Sequence, residues 1–454
     1  SSDKSIFVVA SEKYILHRLL QDHFARSLMG CPEIVQLRAG SGCLVNLDDL
    51  ELKEFGLDGN GLDEEAELPD RGNPLVIVEM VQSTEKMAGA LQRCTKCILP
   101  ETMPFIDFDD KGVCNFCRNS STEEVKGSQA LEAELEKIRS LRGEPDCIVA
   151  LSGGRDSCYG LYYLKKVMGM NPIAFTYDWG MVTDLARRNQ ARLCGSLGVE
   201  HIIVSADIHQ KRTNIKKNVE AWLKRPRLSM VPLFMAGDKM FFYYANQLQK
   251  RTGVKLIAFC ENRRMEKTHF KTGFCGVKEG DGRWVNMPAH EKIRLAGHYA
   301  KEFLVNPSYL NRSLSDTFRA YISSYFLKHD YFFLFDYIEW KEEEIMGTLR
   351  DEFGWEVASD TSSTWRIGDG TAAFYNFIYY TLAGFTENDT FRSNQIRAGH
   401  ITRVQALDFI REENKPRWDT IYDYARMVGF DADVAIQTIS SQTPLWARKG
   451  SMGK

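Results

Sequence analysis

Apolar residues recur along this chain with two different periods, and the changes between them outline its organisation. Short apolar runs bounded by turn formers predict buried strands at Cys147–Leu151, Ile173–Tyr177, His201–Val204 and Leu256–Phe259. Between them, charged segments with apolar residues three and four apart predict helices at Ser157–Met168, Asp184–Leu197 and Lys239–Gln249. Strand alternating with helix predicts an α/β fold built on a parallel sheet. Towards the C-terminus the helical period takes over, at Glu342–Glu352, Val404–Glu413 and Trp418–Met427, so that region is expected to be mainly helical.

The N-terminal part reads differently. An apolar run, Ile6–Ala10, precedes Leu16, Leu20, Phe24 and Leu28 at four-residue steps, and a strand-like stretch, Pro74–Val81, follows the acidic, Gly-rich Asp58–Asp70. A small α/β extension is expected there. Paired cysteines and turn formers dominate Cys94–Cys117, and Leu131–Leu141 reads as a charged amphipathic connector helix. The expected division is an extension of unassigned role over 1–90, a cysteine module over 91–125, an α/β domain over 126–300 and a helical region over 301–454.

Composition narrows the classes. The 454 residues are 44% hydrophobic, 26% charged and 11% aromatic, the balance of an ordinary globular protein. A net charge of -3 argues against a broad basic field, so nucleic acid is not an expected partner. The most apolar run, Tyr331–Ile338, is short and contains Asp336, and no membrane span is expected. Ser-Ser-Asp-Lys at the N-terminus lacks the basic flank and apolar core of an export signal. The eleven cysteines therefore read as reduced thiols in a cytoplasmic protein.

Candidate chemistry begins at the first predicted strand, which runs into Ser152-Gly-Gly-Arg-Asp-Ser157 with a helix following at once. Amides at a helix N-terminus point at whatever lies above them, and paired glycines let a phosphate approach closely, so anion binding is expected. No Lys follows the glycines, which makes a mononucleotide-kinase loop a poor match. The alternative is a tight turn with Asp156 or Ser157 as helix cap.

Cys94-x2-Cys97 and Cys114-x2-Cys117, sixteen residues apart, have the spacing of a four-thiolate tetrahedral site. Zinc in a closed, structural zinc-ribbon site is expected, with an iron-sulfur cluster as the alternative. Cys147 and Cys158 read as core residues.

Ser-Gly-Gly-x-Asp-Ser after a first strand resembles the pyrophosphate loop (PP-loop) of the N-type ATP pyrophosphatases, whose fold is adenine nucleotide α-hydrolase-like. That resemblance implies ATP cut between its α and β phosphates. Ser152, Gly153, Gly154, Arg155 and Ser157 would bind the phosphates, and Asp156 would orient the loop or reach Mg²⁺. Backbone near Phe175–Tyr177 would hold adenine, with Tyr177 and Asp178 among the cofactor-binding residues. Together with Cys94-Thr-Lys-Cys-Ile-Leu-Pro-Glu-Thr-Met-Pro104, Cys260-Glu-Asn262 and Ser363-Thr-Trp-Arg-Ile-Gly-Asp-Gly370, the loop further resembles the bacterial N-acetyl sugar amidotransferases over about residues 93–415. The implied activity is ATP-dependent conversion of an acetamido to an acetamidino group in surface-polysaccharide or flagellar sugar synthesis. Asp156, Ser157, Glu261, Arg366 and Asp369 are the implied catalytic residues, and Asn262 joins the cofactor site. Cys260 stands where glycine is expected before Glu-Asn, and residues 1–90 do not align.

An amide oxygen is a poor leaving group, so adenylation before ammonia attack makes chemical sense. Cys43 misses the Gly-x-Cys-x-Gly form of a glutaminase, and the resemblance implies a separate glutaminase with an ammonia-tunnel subunit. A homo-oligomer is also open. Glu261 and Asn262 are expected to end a strand, where parallel sheets place ligands, with a turn of no site role as the alternative. Arg366 and Asp369 read as a loop reaching substrate or as a surface ion pair. Lys267, His269 and Lys271 alternate as on a strand, forming an anion-facing wall or a solvated edge. A transfer-RNA thiolase, and a nucleotide-binding scaffold with an inactive loop, are the rival readings.

Overall fold

The structure, a computed structural model, describes residues 41–45, 52–56, 88–120, 124–140, 143–266, 268–278, 287–327 and 330–449. The elements expected at 6–10, 16–28 and 74–81 lie outside these residues, as does Lys267. The chain divides into two compact units, Ser1–Asn73 and Pro74–Lys454. In the first, β1 (Ser41–Val45) and β2 (Leu52–Gly56) pair antiparallel with Ser41 opposite Gly56.

The second unit is built on a parallel sheet of five strands, ordered β5-β4-β3-β6-β7. Its strands are β3 (Cys147–Ala150), β4 (Pro172–Asp178), β5 (His201–Ser205), β6 (Leu256–Phe259) and the two-residue β7 (Phe332–Phe333). Every residue of β3 and β4 is buried, which is why both read as unbroken apolar runs rather than alternating ones. Cys147 and Val149 enter the core on one face, Ile148 and Ala150 the core on the other. Cys147 lies opposite both Pro172 of β4 and Leu256 of β6. The chain steps outward from β3 to β4 and β5, then returns to lay β6 on the far side of β3. The strand order reverses between β3 and β6, and such a reversal opens a crevice beyond the strand C-termini.

Helices cover the sheet. After α1 (Ser128–Glu136), which buries Leu131 and Leu135, α2 (Arg155–Tyr162) leaves β3 and continues as a π-helical turn, Tyr163–Val167, inside the range expected to be one helix. For α3 (Asp184–Leu197), the Thr183 hydroxyl accepts from Ala186 N at 3.2 Å and Gly198 ends the helix at φ 60, so both termini follow from local chemistry. Then come α4 (Ile208–Lys224) and α5 (Phe241–Thr252), separated by a 3-10 stretch, Leu228–Met240. The helix expected from Lys239 therefore begins at Phe241; Lys239 belongs to the 3-10 stretch, where Pro232 lacks an N–H to continue an α-helical ladder.

The C-terminal region is helical, as expected: α6 (Ala289–Val305), α7 (Ser313–Tyr325), α8 (Glu342–Phe353), α9 (Ala372–Ala383), α10 (Glu387–Ala398), α11 (Arg403–Glu413), α12 (Trp418–Val428) and α13 (Ala432–Ser440). Tyr375, Phe377, Tyr424 and Ile436 from three of these helices share one core with Ile148 and Phe175 of the sheet. Helix α10 is unusual, because Glu387, Asn388, Asp389, Thr390, Arg392, Ser393, Asn394 and Gln395 are all buried. Among the described residues, no helix is long and apolar enough to cross a membrane.

Candidate functional site

The Ser152–Ser157 loop sits at the C-terminal end of β3, on the rim of the crevice. Its two hydroxyls close it: Ser152 Oγ lies 2.9 Å from Ser157 Oγ, Ser152 N donates to Ser157 Oγ at 3.1 Å, and Gly154 N points at Ser152 Oγ at 3.3 Å. Gly153 has φ +79, and a Cβ there would stand 2.4 Å from the Ala186 carbonyl oxygen. Only glycine fits both the left-handed backbone and the close approach of α3. The indole N–H of Trp355 donates to the Gly153 carbonyl at 3.3 Å and steadies the loop from the helical side. Gly154 caps α2, and the first amides of a helix lack intrahelical partners, an arrangement suited to phosphate.

A second segment is laid against this loop. A Cβ on Gly368 would come within 3.4 Å of the Ser152 carbonyl oxygen, so the 363–370 loop packs on the phosphate-loop backbone. It is tied to the end of β4 by Thr183 N donating to the Gly368 carbonyl at 3.2 Å and Gly370 N donating to the Met181 carbonyl at 2.8 Å. Asp369 accepts from Thr371 N and Oγ1 at 2.9 and 2.6 Å, and burial lifts its carboxyl above the ordinary range in spite of those bonds. The two motifs, more than two hundred residues apart in sequence, thus form one wall.

The ends of β4 and β6 supply the rest. Tyr177 is buried and stacked on Tyr244 with centroids 4.9 Å apart. Asp178 is buried; its Oδ1 accepts from Gly180 N at 2.9 Å, while its Oδ2 lies 2.7 Å from Arg187 Nη2 without a well-aligned hydrogen bond. Glu261 and Asn262 follow directly after β6, and Asn262 Oδ1 accepts from Arg264 N at 3.1 Å to start the turn that carries Glu266.

Glu266 belongs to a charged cluster that sequence reasoning did not assemble. Arg366 holds φ 50, a strained value for a non-glycine, and lies 3.5 Å from Glu266 and 3.3 Å from Glu387. Lys271 Nζ lies 2.9 Å from Glu387 and 3.9 Å from the Tyr375 ring centroid, and Tyr375 donates its hydroxyl to Glu387 at 2.6 Å. Burial pushes the Glu387 carboxyl up, but the charges of Arg366 and then Lys271 outweigh it and bring the group to about 2. Glu266 goes the other way: burial first, then the charge of Glu261, raise it to about 8.

Two expectations need correction. Arg155 was assigned to phosphate, yet its guanidinium is buried and committed elsewhere, to Asp156 at 2.8 Å, Glu342 at 2.7 Å and Thr364 at 2.6 Å, over the Trp340 ring. Glu342 also accepts from Arg392 at 2.6 Å, and Arg392 pairs with Glu413, so Arg155 anchors the loop helix to α8, α10 and α11. Its backbone N–H is what remains for a ligand. Asp156 accepts from both Arg155 and Trp340 Nε1, which makes it an orienting residue. The second correction is the strand through Lys267, His269 and Lys271. Residues 268–270 are irregular, and Lys271 leads into a 3-10 turn, Thr272–Cys275, because side-chain anchoring rather than a ladder fixes the segment: Thr268 donates to Asn394 at 2.8 Å.

The four cysteines converge as their spacing predicts. Their sulfurs all lie within 4.8 Å of one another and all four residues are buried. Bridges Arg93↔Pro100 and Phe108↔Cys114 form the two turns, and Cys114 N points at Cys94 Sγ at 3.2 Å. Gly112, at φ 72, makes the second turn. Hydrogen bonds from Cys114 and Cys97, followed by the charge of Arg397 at 3.8 Å, hold the Cys117 thiol well below its ordinary range. Four close, buried sulfurs fit a tetrahedral four-thiolate metal site with no position left for substrate.

No family model matches the chain. An uncharacterized protein of Methanocaldococcus jannaschii is 22% identical to it over 183 residues, 36% of this chain, and the chain spans 65% of that relative's length. Among solved structures, an NH3-dependent NAD synthetase from Campylobacter jejuni in complex with the nitrate ion is similar at 14% identity; the match covers 44% of this chain and 98% of that one, with a TM-score of 0.21.

Proposed function

We propose that this chain is an ATP-dependent, AMP- and pyrophosphate-forming amidotransferase that converts the acetamido group of an N-acetyl sugar to an acetamidino group. The observation that carries the reading is the placement of Ser152–Ser157 at the strand-order reversal, with the 363–370 loop packed on its backbone. Ser152 and Ser157 hydroxyls and the amides of Gly153, Gly154 and Arg155 hold the phosphates, and backbone at the end of β4 holds adenine. Asp178, whose Oδ2 is ion-paired with Arg187 but accepts no well-aligned hydrogen bond, would offer an oxygen to Mg²⁺, which when bound offsets charge on the phosphates. The sugar rests on the sequence resemblance, and Glu261, Asn262, Arg366 and Asp369 form the wall on which it docks.

The amide oxygen attacks the α-phosphorus, pyrophosphate leaves onto the loop amides, and the resulting imidate is attacked by ammonia, expelling AMP. The protein's work is positioning and stabilisation of developing negative charge. Zinc in the four-cysteine site has a structural role. A separate glutaminase and tunnel subunit supply ammonia, and the reaction belongs in the cytoplasm, where ATP is made available to it. Incubation with ATP, Mg²⁺, ammonium and a panel of N-acetyl sugars tests the reading. AMP, pyrophosphate and a product lighter by the difference between O and NH support it; ADP, or sulfur transfer to RNA, overturns it.

A further inference from the structure

We infer that Glu266 is the base that takes a proton from ammonium in the crevice and releases the ammonia that attacks the activated amide. This rests on the functional reading above and adds a catalytic residue to it.

The fold gathers several carboxylates at this rim. Glu266 is surrounded by Glu261, Arg366, Asp156 and Glu387. Two of these carboxylates, and Asp369 beyond them, are spoken for. Asp156 Oδ1 accepts from Arg155 and from Trp340. Asp369, in the facing loop, accepts twice from Thr371. Glu387 is clamped by Lys271, Tyr375 and Arg366, and at about 2 it holds no proton at any working pH. Among the described residues, the Glu266 carboxylate has a single long contact, 3.5 Å to Arg366, and its side chain keeps 16% of its surface open. It is reachable, weakly held and largely dehydrated.

Its position suits the task. It lies in the turn after β6, which Asn262 begins and which Glu266 N completes by donating to the Asn262 carbonyl at 2.9 Å. That places it at the ligand edge of the sheet, beside the helix that carries the phosphate loop. Glu261, four residues after Ile257 in the same segment, supplies a second negative charge. Two neighbouring carboxylates attract a small cation, and one of them then holds a proton readily because the other stays ionised. With its carboxyl near 8, Glu266 is in balance with a neutral-pH reaction, as a general base should be. Arg366 turns its strained backbone to place one guanidinium between Glu266 and Glu387, so substrate can share that cation without a rearrangement.

The steps balance. An ammonium N–H bond breaks, its electron pair stays on nitrogen, and the proton forms an O–H bond on Glu266. The nitrogen pair then forms a C–N bond to the neutral O-adenylyl imidate, and one ammonia proton shifts to the sugar nitrogen. The C–O bond breaks, AMP leaves with that electron pair, amidinium remains, and Glu266 returns its proton to water.

The test separates the two halves of the reaction in full-length protein. Sugar-dependent exchange of labelled pyrophosphate into ATP, without ammonium, reports adenylation; mass spectrometry of the sugar reports amidine. The probes are N-acetylglucosamine, its uridine-diphosphate derivative and N-acetylneuraminic acid. Glu266→Gln is expected to lower amidine formation from ammonium by about 100-fold while exchange changes by less than about threefold. Hydroxylamine, which is already unprotonated at neutral pH, is expected to restore product formation in the variant. In the unaltered protein, exchange should stay level from about pH 6.5 to about pH 9 while the fraction of Glu266 able to act as base rises. No exchange with any probe in the unaltered protein sinks the functional reading itself. Exchange with undiminished amidine formation in Glu266→Gln, loss of both halves together, or failure of hydroxylamine to rescue, each overturns the role given to Glu266.

Discussion

Gly160 on α2 and Cys260 at the end of β6 share one space: a Cβ on Gly160 would stand 2.0 Å from the Cys260 sulfur and 2.6 Å from its Cβ. This contact seats the phosphate-loop helix directly over the strand that delivers Glu261 and Glu266. A glycine inside a helix costs about 1 kcal/mol relative to alanine, and here the missing side chain is what admits the cysteine. The thiol is buried, and burial raises its pKa far above the ordinary range, so it serves as a neutral packing group. The cysteine found where glycine was expected at 260 is thus matched by a glycine across the contact.

Gly160→Ala should therefore destabilise the protein by about 1–3 kcal/mol through overpacking, in spite of alanine's better helix propensity. Gly160→Ala combined with Cys260→Gly should recover most of that loss. Denaturant unfolding of the two single variants and the double variant measures the coupling. Additive effects would show that the two residues do not compete for space.

Metal removal should act at a distance from the thiols. Arg403 Nε donates to the carbonyls of Cys94 and Cys97 at 3.1 and 3.0 Å, and Ile98 packs on Ala406 and Ile410, so the cysteine turns hold α11 in place. Purified protein is expected to carry about one zinc per chain, since a closed four-thiolate site binds it as part of folding. Chelation, or Cys97→Ser, should expose the Arg403–Glu413 segment to protease before the sheet unfolds. Iron with a visible absorption band, or freshly made protein without metal, contradicts the assignment.

The Ser152–Ser157 turn was legible in sequence because everything it needs is local: a buried strand, two glycines and a helix start within a dozen residues. The thiolate site was legible for the same reason. The charged cluster was not, because Glu266, Lys271, Arg366, Tyr375 and Glu387 come from separate segments and meet only when α9 and α10 close on the end of β6. One signal was present in Glu387–Gln395, a helix polar on all sides with few of the charge pairs that would stabilise such a helix in water. The alternation of Lys267, His269 and Lys271 misled because three residues cannot distinguish a ladder from an extended loop. The task of the Arg155 side chain was hidden because its partner Glu342 lies nearly two hundred residues away.

That difference changes which loop variants are informative. Asp156→Ala removes the acceptor of Arg155 and Trp340 and should disturb the packing of α8 as well as activity. Ser157→Ala removes a hydroxyl that bonds within the loop and that the proposed function assigns to the phosphates, and should lower AMP and pyrophosphate formation by about 10²-fold with unfolding little changed. Product analysis by ion-exchange chromatography, alongside denaturant unfolding, separates the two effects.

Acid sensitivity should trace to Glu387. Its folded pKa of about 2 lies below the ordinary carboxylate value near 4, so its contribution is present above that value and lost as pH falls through about 4 towards about 2. The upper figure is about 3 kcal/mol, reduced because burial pushes Lys271 below its own ordinary range. Glu266 titrates with the opposite sign: with its folded pKa raised to about 8, stability falls as pH rises from about 4 to about 8. Glu387→Gln should weaken the protein at neutral pH, by leaving Lys271 and Arg366 unpaired, and flatten its stability curve below about pH 4. An unchanged acid limb in that variant would remove Glu387 from the account.

The nitrogen source gives the last prediction. An adenylated amide needs a nitrogen nucleophile, and the nine cysteines from Cys94 to Cys275 are either the metal-site thiols or are buried at Cys147, Cys158, Cys194, Cys260 and Cys275, where burial raises the first four of these above the ordinary thiol range. A glutaminase nucleophile has to be exposed as well as readily ionised, and each of these nine is buried. With ammonium salt, product formation should rise with pH as free ammonia and ionised Glu266 both increase, while glutamine alone should support none. Addition of a glutaminase together with a tunnel subunit should restore efficient glutamine use, and a glutaminase that cannot dock should support only the rate that the same concentration of ammonium salt supports, because ammonia released into bulk water is diluted and protonated before it reaches the crevice. Comparison of the two nucleophiles at equal concentration measures this directly. Glutamine used by the isolated chain as efficiently as ammonium would place an amidohydrolase within it and remove the need for a partner.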